Sequence, residues 1–206
     1  MVGTAQNKCW AYEEGFKSAF LALDPEGPNK AQAAAFRREG AHLLLLFISN
    51  EDDCSVVDGE TLGSVDADIC ELAGTTDDGG PLSPVSDYVQ RFEDFASSDA
   101  AVLVAAISGD VLVPGELGLS DAEAETYVAD NRAAFVDAMS SGQQCFHQST
   151  ICSSGMGGSQ WGSRYQALTD AFGERGLFQN ICAPEGMGPA LDAIADLVIR
   201  EAAPVP

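Results

Sequence analysis

Ala41-His42-Leu43-Leu44-Leu45-Leu46-Phe47-Ile48-Ser49-Asn50-Glu51-Asp52-Asp53-Cys54-Ser55 joins an unbroken apolar run to a cluster of acids. Leu43 to Ile48 has the pattern of a strand buried on both faces, because helices that cover both faces leave only its carboxyl end wet. Ligands of open α/β sheets bind at such ends. Ser49, Asn50, Glu51, Asp52 and Asp53 offer hard oxygen ligands and negative charge, which suit Mg²⁺ or Ca²⁺ and not an anion. The stretch predicts a central strand with a divalent-cation site at its tip.

A second apolar run, Ala100 to Ile107, ends at Ser108-Gly109-Asp110. Between the two runs, Ser86-Asp87 is placed to cap a helix carrying Tyr88, Val89, Phe92 and Phe95 on one face. Strand, helix, strand in that order implies crossovers and a parallel sheet, an α/β, three-layer, doubly wound fold. Upstream, residues 10–23 set Phe16, Phe20, Leu21 and Leu23 at helical spacing with Glu13, Glu14 and Lys17 between them. This amphipathic helix stops at Asp24-Pro25-Glu26-Gly27-Pro28, where proline forbids continuation. Lys30 to Arg38 adds a short alanine-rich helix. Downstream, Ser120-Asp121-Ala122-Glu123 resembles a capping box opening a helix toward Met139. Ser163 to Phe172 predicts a further helix and Leu177 to Cys182 a short edge strand. Met187 to Glu201 predicts a last helix that buries Leu191, Ile194, Leu197 and Val198. No internal repeat emerges, and residues 1–206 fit a single domain whose 46% apolar content can fill its core.

Ten basic against 32 acidic residues give a net charge of −22. Such a surface repels nucleic acid and anionic membrane and favours cations and basic partners, so nucleic-acid binding is excluded. The acids are dispersed, as on a solvated surface. No run approaches the roughly 20 apolar residues that span a bilayer, so no membrane insertion is expected. Cys9, Cys54, Cys70, Cys145, Cys152 and Cys182 lie far apart with no Cys-x-x-Cys pair. An even, dispersed set points to disulfides in an oxidising compartment and away from zinc. Cys54 with Cys70, and Cys145 or Cys152 with Cys182, are the expected pairings; reduced thiols of a cytosolic protein are the alternative. Met1 to Lys8 holds no apolar signal core, so export implies a piece of a longer exported protein.

Other motifs carry no chemistry. Ser55 to Pro84 is rich in Gly, Asp, Thr and Ser, but Asp58-Gly59-Glu60 and Asp77-Asp78-Gly79-Gly80 lack the alternate-position acids of an EF-hand and predict solvated turns. Cys145, His147 and Cys152 make a poor zinc pattern. Gly157-Gly158-Ser159-Gln160-Trp161 misses a nucleophile elbow, since its closing glycine falls one residue late and no strand precedes it, and it predicts an ordinary loop. Two histidines, with His42 entering a strand as a packed or edge residue, leave little for general base work, and a hydrolase built on Glu51, Asp52 and Asp53 is set aside. The chain is not expected to be an enzyme.

Gly3-Thr4, Cys9, Glu13-Glu14 opening a helix, Phe47 to Ser55, Ala105 to Gly109, Gly162-Ser163-Arg164-Tyr165 and Ile181-Cys182 together resemble a group of bacterial exported proteins with von Willebrand factor A-like domains. The resemblance runs over nearly the whole chain, and its most specific element is the apolar strand followed by Ser-Asn-Glu-Asp-Asp-Cys-Ser. It implies a doubly wound sheet with a metal-ion-dependent adhesion site where three loops meet. In that family the first loop carries Asp-x-Ser-x-Ser, the second a Thr, and the third an Asp after a buried strand. The third falls on Asn50, with Ser49, Glu51, Asp52 and Asp53 beside it, and the second on Thr4. An amide oxygen adds no charge, so affinity falls unless a neighbouring acid substitutes. The first-loop motif occurs nowhere in residues 1–206, which implies that the chain covers about the carboxyl-terminal two-thirds to three-quarters of such a domain. The implied function is a cell-surface adhesion or interaction module whose Mg²⁺ or Ca²⁺ takes an acidic side chain of a protein ligand as its last ligand. A disulfide-stabilised structural module of the same fold, with no functional metal site, is the alternative.

Overall fold

Three parallel strands carry the fold of the computed structural model, which describes residues 13–57, 82–97, 100–140, 150–154 and 157–202. They are β1 (Leu43–Ile48), β2 (Val102–Ser108) and β5 (Gly176–Asn180), in the order β1-β2-β5. Leu43 lies opposite Val102 and Ile48 opposite Ile107, while Val104 pairs with Gly176 and Ser108 with Asn180. The helices are α1 (Gly15–Leu23), α2 (Lys30–Phe36), α3 (Val85–Glu93), α4 (Asp121–Ser140), α5 (Ser163–Ala171) and α6 (Met187–Ala202). The chain is thus α/β, a parallel sheet flanked by helices.

The sheet corrects the expectation for Leu43 to Ile48. Among the described residues β1 is an edge strand, and β2, buried at every position, is the central one. In β1, Leu45 and Phe47 face the core, whereas Leu46 and Ile48 are 39% and 51% exposed. A parallel strand is dry on both faces only where helices cover both. On the second face α6 packs on β2 and β5, setting Ala190 and Ile194 against Ala105 and Ile107. The other face holds the large core, built by α1, α3 and α5. Phe16 sits at its centre, with ring centroids 5.5 Å from Phe47, 5.4 Å from Tyr88 and 5.3 Å from Tyr165. Edge-to-face and tilted contacts of this kind add to the apolar area that the rings bury.

Several element ends move from their expected places. Residues 10–12 lie outside the described residues and α1 starts at Gly15, because the Glu13 carbonyl is engaged by the Cys54 N–H at 2.7 Å. Pro84 is the N-cap of α3, which leaves Ser86 and Asp87 in its first turn, where a carboxylate still favours the helix dipole. The capping box of α4 forms: the Glu123 carboxylate accepts from Ser120 N at 2.8 Å. In α6, Ile194 and Leu197 are buried and Val198 half-buried, but Leu191 is 45% exposed. Where a loop is expected, β3 (Cys152–Ser154) and β4 (Gly157–Ser159) pair as antiparallel strands.

Cys152 and Cys182 form a disulfide across a separation of 30 residues, one of the two pairings open to Cys182. Cys54 is also disulfide-bonded. Cys9, Cys70 and Cys145 lie outside the described residues, as do Thr4, His147 and the acid-rich turns at 58–60 and 77–80. No helix among the described residues is long and apolar enough to cross a membrane.

Candidate functional site

The loop leaving β1, Ser49 to Ser55, meets the first turns of α1 and α5. Neither helix caps itself, since the N-cap residues Glu14 and Gly162 make no side-chain cap bond. A helix start leaves backbone N–H groups without partners and carries partial positive charge, so it favours a carboxylate. Two adjacent aspartates supply one each. Asp52 accepts from Arg164 N at 3.0 Å on Oδ1 and 3.1 Å on Oδ2, from the Ser163 hydroxyl at 2.7 Å and from Asp53 N at 2.8 Å. Asp53 accepts from Phe16 N at 2.9 Å, from the Ser55 hydroxyl at 2.7 Å, from Ser55 N at 3.1 Å and from Arg164 Nε at 3.2 Å. Lys17 N completes the first turn of α1 by donating to Ser55 Oγ at 2.9 Å.

Arg164 closes this network. Its Nη2 donates to the Ser83 carbonyl at 2.7 Å and its guanidinium lies 5.6 Å from the Phe16 ring centroid. Asp52 and Asp53 are 0% exposed and Arg164 is 2% exposed. Burial pushes Asp52 up to about 6, against the pull of the Ser163 hydroxyl, of Arg164 and of the backbone donors. Burial raises Asp53 as well, against Arg164 and the donors from Phe16 and Ser55. Buried ions persist only when paired and hydrogen-bonded, as here. A carboxylate offers about four acceptor sites, and in both aspartates the protein's own donors fill them. Asp52 and Asp53 therefore do not fit as ligands of a cation, which would have to displace a helix N-terminus or Arg164 to reach them.

The outer rim differs. Ser49 Oγ donates to Glu13 Oε2 and also stands 2.9 Å from the Glu51 carbonyl, while Glu51 N donates back to Ser49 Oγ at 3.1 Å. Glu51 Oε2 is a buried carboxylate oxygen with no hydrogen-bond partner among the described residues. Burial, and next the charge of Glu13, raise Glu51 to about 7. Among the described residues the exposed Asn50 is tied through its backbone, its carbonyl accepting from Ser159 Oγ at 2.9 Å and Gln160 N at 3.0 Å. Behind them the Tyr165 hydroxyl is shifted upward by burial and by Asp53, Asp52 and Glu13. No group of three or more His, Cys, Asp or Glu among the described residues is placed to hold a metal ion.

The structure thus divides the expected site residues into two sets. Asp52 and Asp53 point inward as helix caps, whereas Ser49 and Glu51 join Glu13 at the rim, beside the exposed Asn50. His42 lies at the other end of β1, its Nδ1 accepting from Ala101 N at 3.0 Å. Ser163, Arg164 and Glu13 had no role assigned from sequence. The available signal is Arg164 itself, a scarce basic residue directly before Tyr165 in the first turn of a short helix, in a chain with 32 acids. No family model, curated protein or solved structure matches the chain.

Proposed function

We propose that the chain is a von Willebrand factor A-like interaction module of an exported protein, with a divalent-cation site on the rim of its sheet. Glu51, Glu13 and Ser49 would hold Mg²⁺ or Ca²⁺, with the Asn50 amide oxygen within the same loop. The observation that carries this reading is Glu51 Oε2, a buried acceptor with nothing to accept from, next to a second carboxylate that repels it. Hard oxygens of this kind are what Mg²⁺ and Ca²⁺ select. A bound cation would offer an open position to an acidic side chain of a protein ligand, which the −22 surface otherwise repels. The fold reading is supported by the parallel sheet flanked by helices and by an acidic loop at the carboxyl end of a strand. Export is supported by the Cys152–Cys182 disulfide.

Titration calorimetry with Mg²⁺, Ca²⁺ and Mn²⁺ in turn, on the chain and on Glu51→Gln, tests the site. Saturable heat from the parent and its loss in the variant are expected, at unchanged urea midpoint. Equal heats, or none, remove the cation.

The closed Asp52–Asp53–Arg164 network favours a second reading, a disulfide-stabilised structural module in which the acidic loop exists to join two helices to the sheet. It stands if the parent gives no heat.

A further inference from the structure

At the opposite end of the sheet, where β1 and β2 begin, lies a cavity of about 670 Å³. That is a volume suited to a small organic ligand. Phe36, Leu43 and Leu44 give it an apolar wall, Arg37 and Arg38 give it positive charge and His42 a ring N–H; Glu39 is the one acid among the described residues that line it. Phe36 is 66% exposed, unusual for a large ring.

Five of the other basic side chains are held in ion pairs: Lys17, Arg132, Arg164, Arg175 and Arg200 each stand within ion-pair distance of a carboxylate. Arg37 and Arg38 have no carboxylate partner among the described residues, in a chain with three times as many acids as bases. Arg37 is nonetheless held in place: Nη2 donates to the Phe95 carbonyl and the guanidinium lies 5.3 Å from the Phe95 ring centroid. A guanidinium carries five N–H donors, so most of those on Arg37 stay available. His42 accepts from Ala101 N through Nδ1, and its neutral ring must then carry the proton on Nε2, a donor on the far side. The acidic rim lies a strand length away, about 20 Å at the rise of an extended chain. That exceeds the roughly 8 Å over which charge is felt at physiological salt.

We propose that this cavity binds a small organic anion made of a carboxylate joined to a hydrophobic body. The carboxylate meets Arg37, Arg38 and the His42 Nε2–H, and the body lies against Phe36 and Leu43. Each half accounts for a feature left over from folding, the unneutralised guanidinia and the uncovered ring.

The test uses the full chain in chelator, so that the rim cation plays no part. Backbone amide NMR shifts are followed while 4-phenylbutyrate, neutral 4-phenylbutanol and inorganic phosphate are added in separate titrations. Saturable shifts with 4-phenylbutyrate at residues 40–44 and 100–101 are expected, with affinity lowered about fivefold in Arg38→Gln, the scale of one exposed charge contact. Arg38 is exposed, and Arg37→Gln serves as a second variant. No saturation, equal binding by Arg38→Gln and parent, or equal binding of the alcohol or of phosphate would each overturn the proposal.

Discussion

Asp52 and Asp53 are neighbours in the chain, yet their carboxylates serve different helices. Asp52 takes the Arg164 N–H at the start of α5, and Asp53 takes the Phe16 N–H at the start of α1. The loop leaving β1 is thereby fastened to two of the three helices that cover the core face of the sheet. The side chain of Arg164 then returns to Asp53, so the two caps share one cation. Three predictions rest on this geometry and two on the hairpin beside it.

Arg164→Met leaves Asp53 buried and unpaired, and a buried charge that loses its partner costs about 3–5 kcal/mol. Urea denaturation should show a loss of that size. Arg164→Lys should fall between, since an ammonium cannot reach Asp53 and the Ser83 carbonyl in the same fork geometry. A change below about 1 kcal/mol in Arg164→Met would mean that the pair contributes no more than a surface contact.

Asp52→Ala removes an N-cap, worth about 1–2 kcal/mol. Asp53→Ala should cost more, because it strands Arg164 as well as the first turn of α1. The Asp53 and Arg164 single and double variants should show a coupling of about 1–3 kcal/mol; additive effects would argue against a direct pair.

Stability should fall as pH rises from about 4 to 6. The folded chain holds the Asp52 proton more tightly than an unfolded chain does, since its value is raised from 3.8 to about 6. Its contribution is full below 3.8, is lost as pH passes through about 6, and changes little beyond; Asp53 is displaced in the same direction. The shift corresponds to up to about 3 kcal/mol. Urea midpoints measured from pH 4 to 8 should decline through this window, less steeply in Asp52→Asn. A midpoint that rises with pH through it would show that the donors outweigh burial.

Replacing both Cys152 and Cys182 by Ser opens a loop of 30 residues. Chain entropy puts the loss at about 3.5 kcal/mol. The thermal midpoint of the variant, compared with that of the parent under non-reducing conditions, gives the value; no difference would mean that the hairpin is held by its hydrogen bonds alone.

Gly109→Ala should loosen the β3–β4 hairpin from the sheet. A Cβ at Gly109 would lie 1.8 Å from the Gln160 carbonyl oxygen and 2.5 Å from Ser159 Oγ, closer than real atoms approach. Gly115→Ala, which meets nothing within 4 Å, is the control and should stay within about 0.5 kcal/mol of the parent. Equal thermal midpoints for the two variants would show that the backbone there can shift.

Legibility followed the range of the interactions. The two apolar runs, the α4 capping box and the α5 and α6 segments could be placed from sequence, because strand length, helical period and capping chemistry are local. That β1 is an edge strand among the described residues could not, since the same run of leucines fits either position and only the placing of α6 over β2 and β5 leaves Leu46 and Ile48 uncovered. The hairpin was missed because Cys152–Ser154 and Gly157–Ser159 are short and poor in β-branched residues, and their pairing draws on contacts with Asn50 and Gly109.

The succession of apolar runs and helical spacings determined, by itself, a parallel α/β layering with an acid-rich loop at the end of its first strand. Which of those acids face inward was decided by the tertiary structure alone. The donors that fill Asp52 and Asp53 come from Phe16, 37 residues away, and from Arg164, as far as 112 residues away. Five consecutive polar residues look alike in a sequence; they differ once two helix N-termini and one guanidinium arrive to claim two of them.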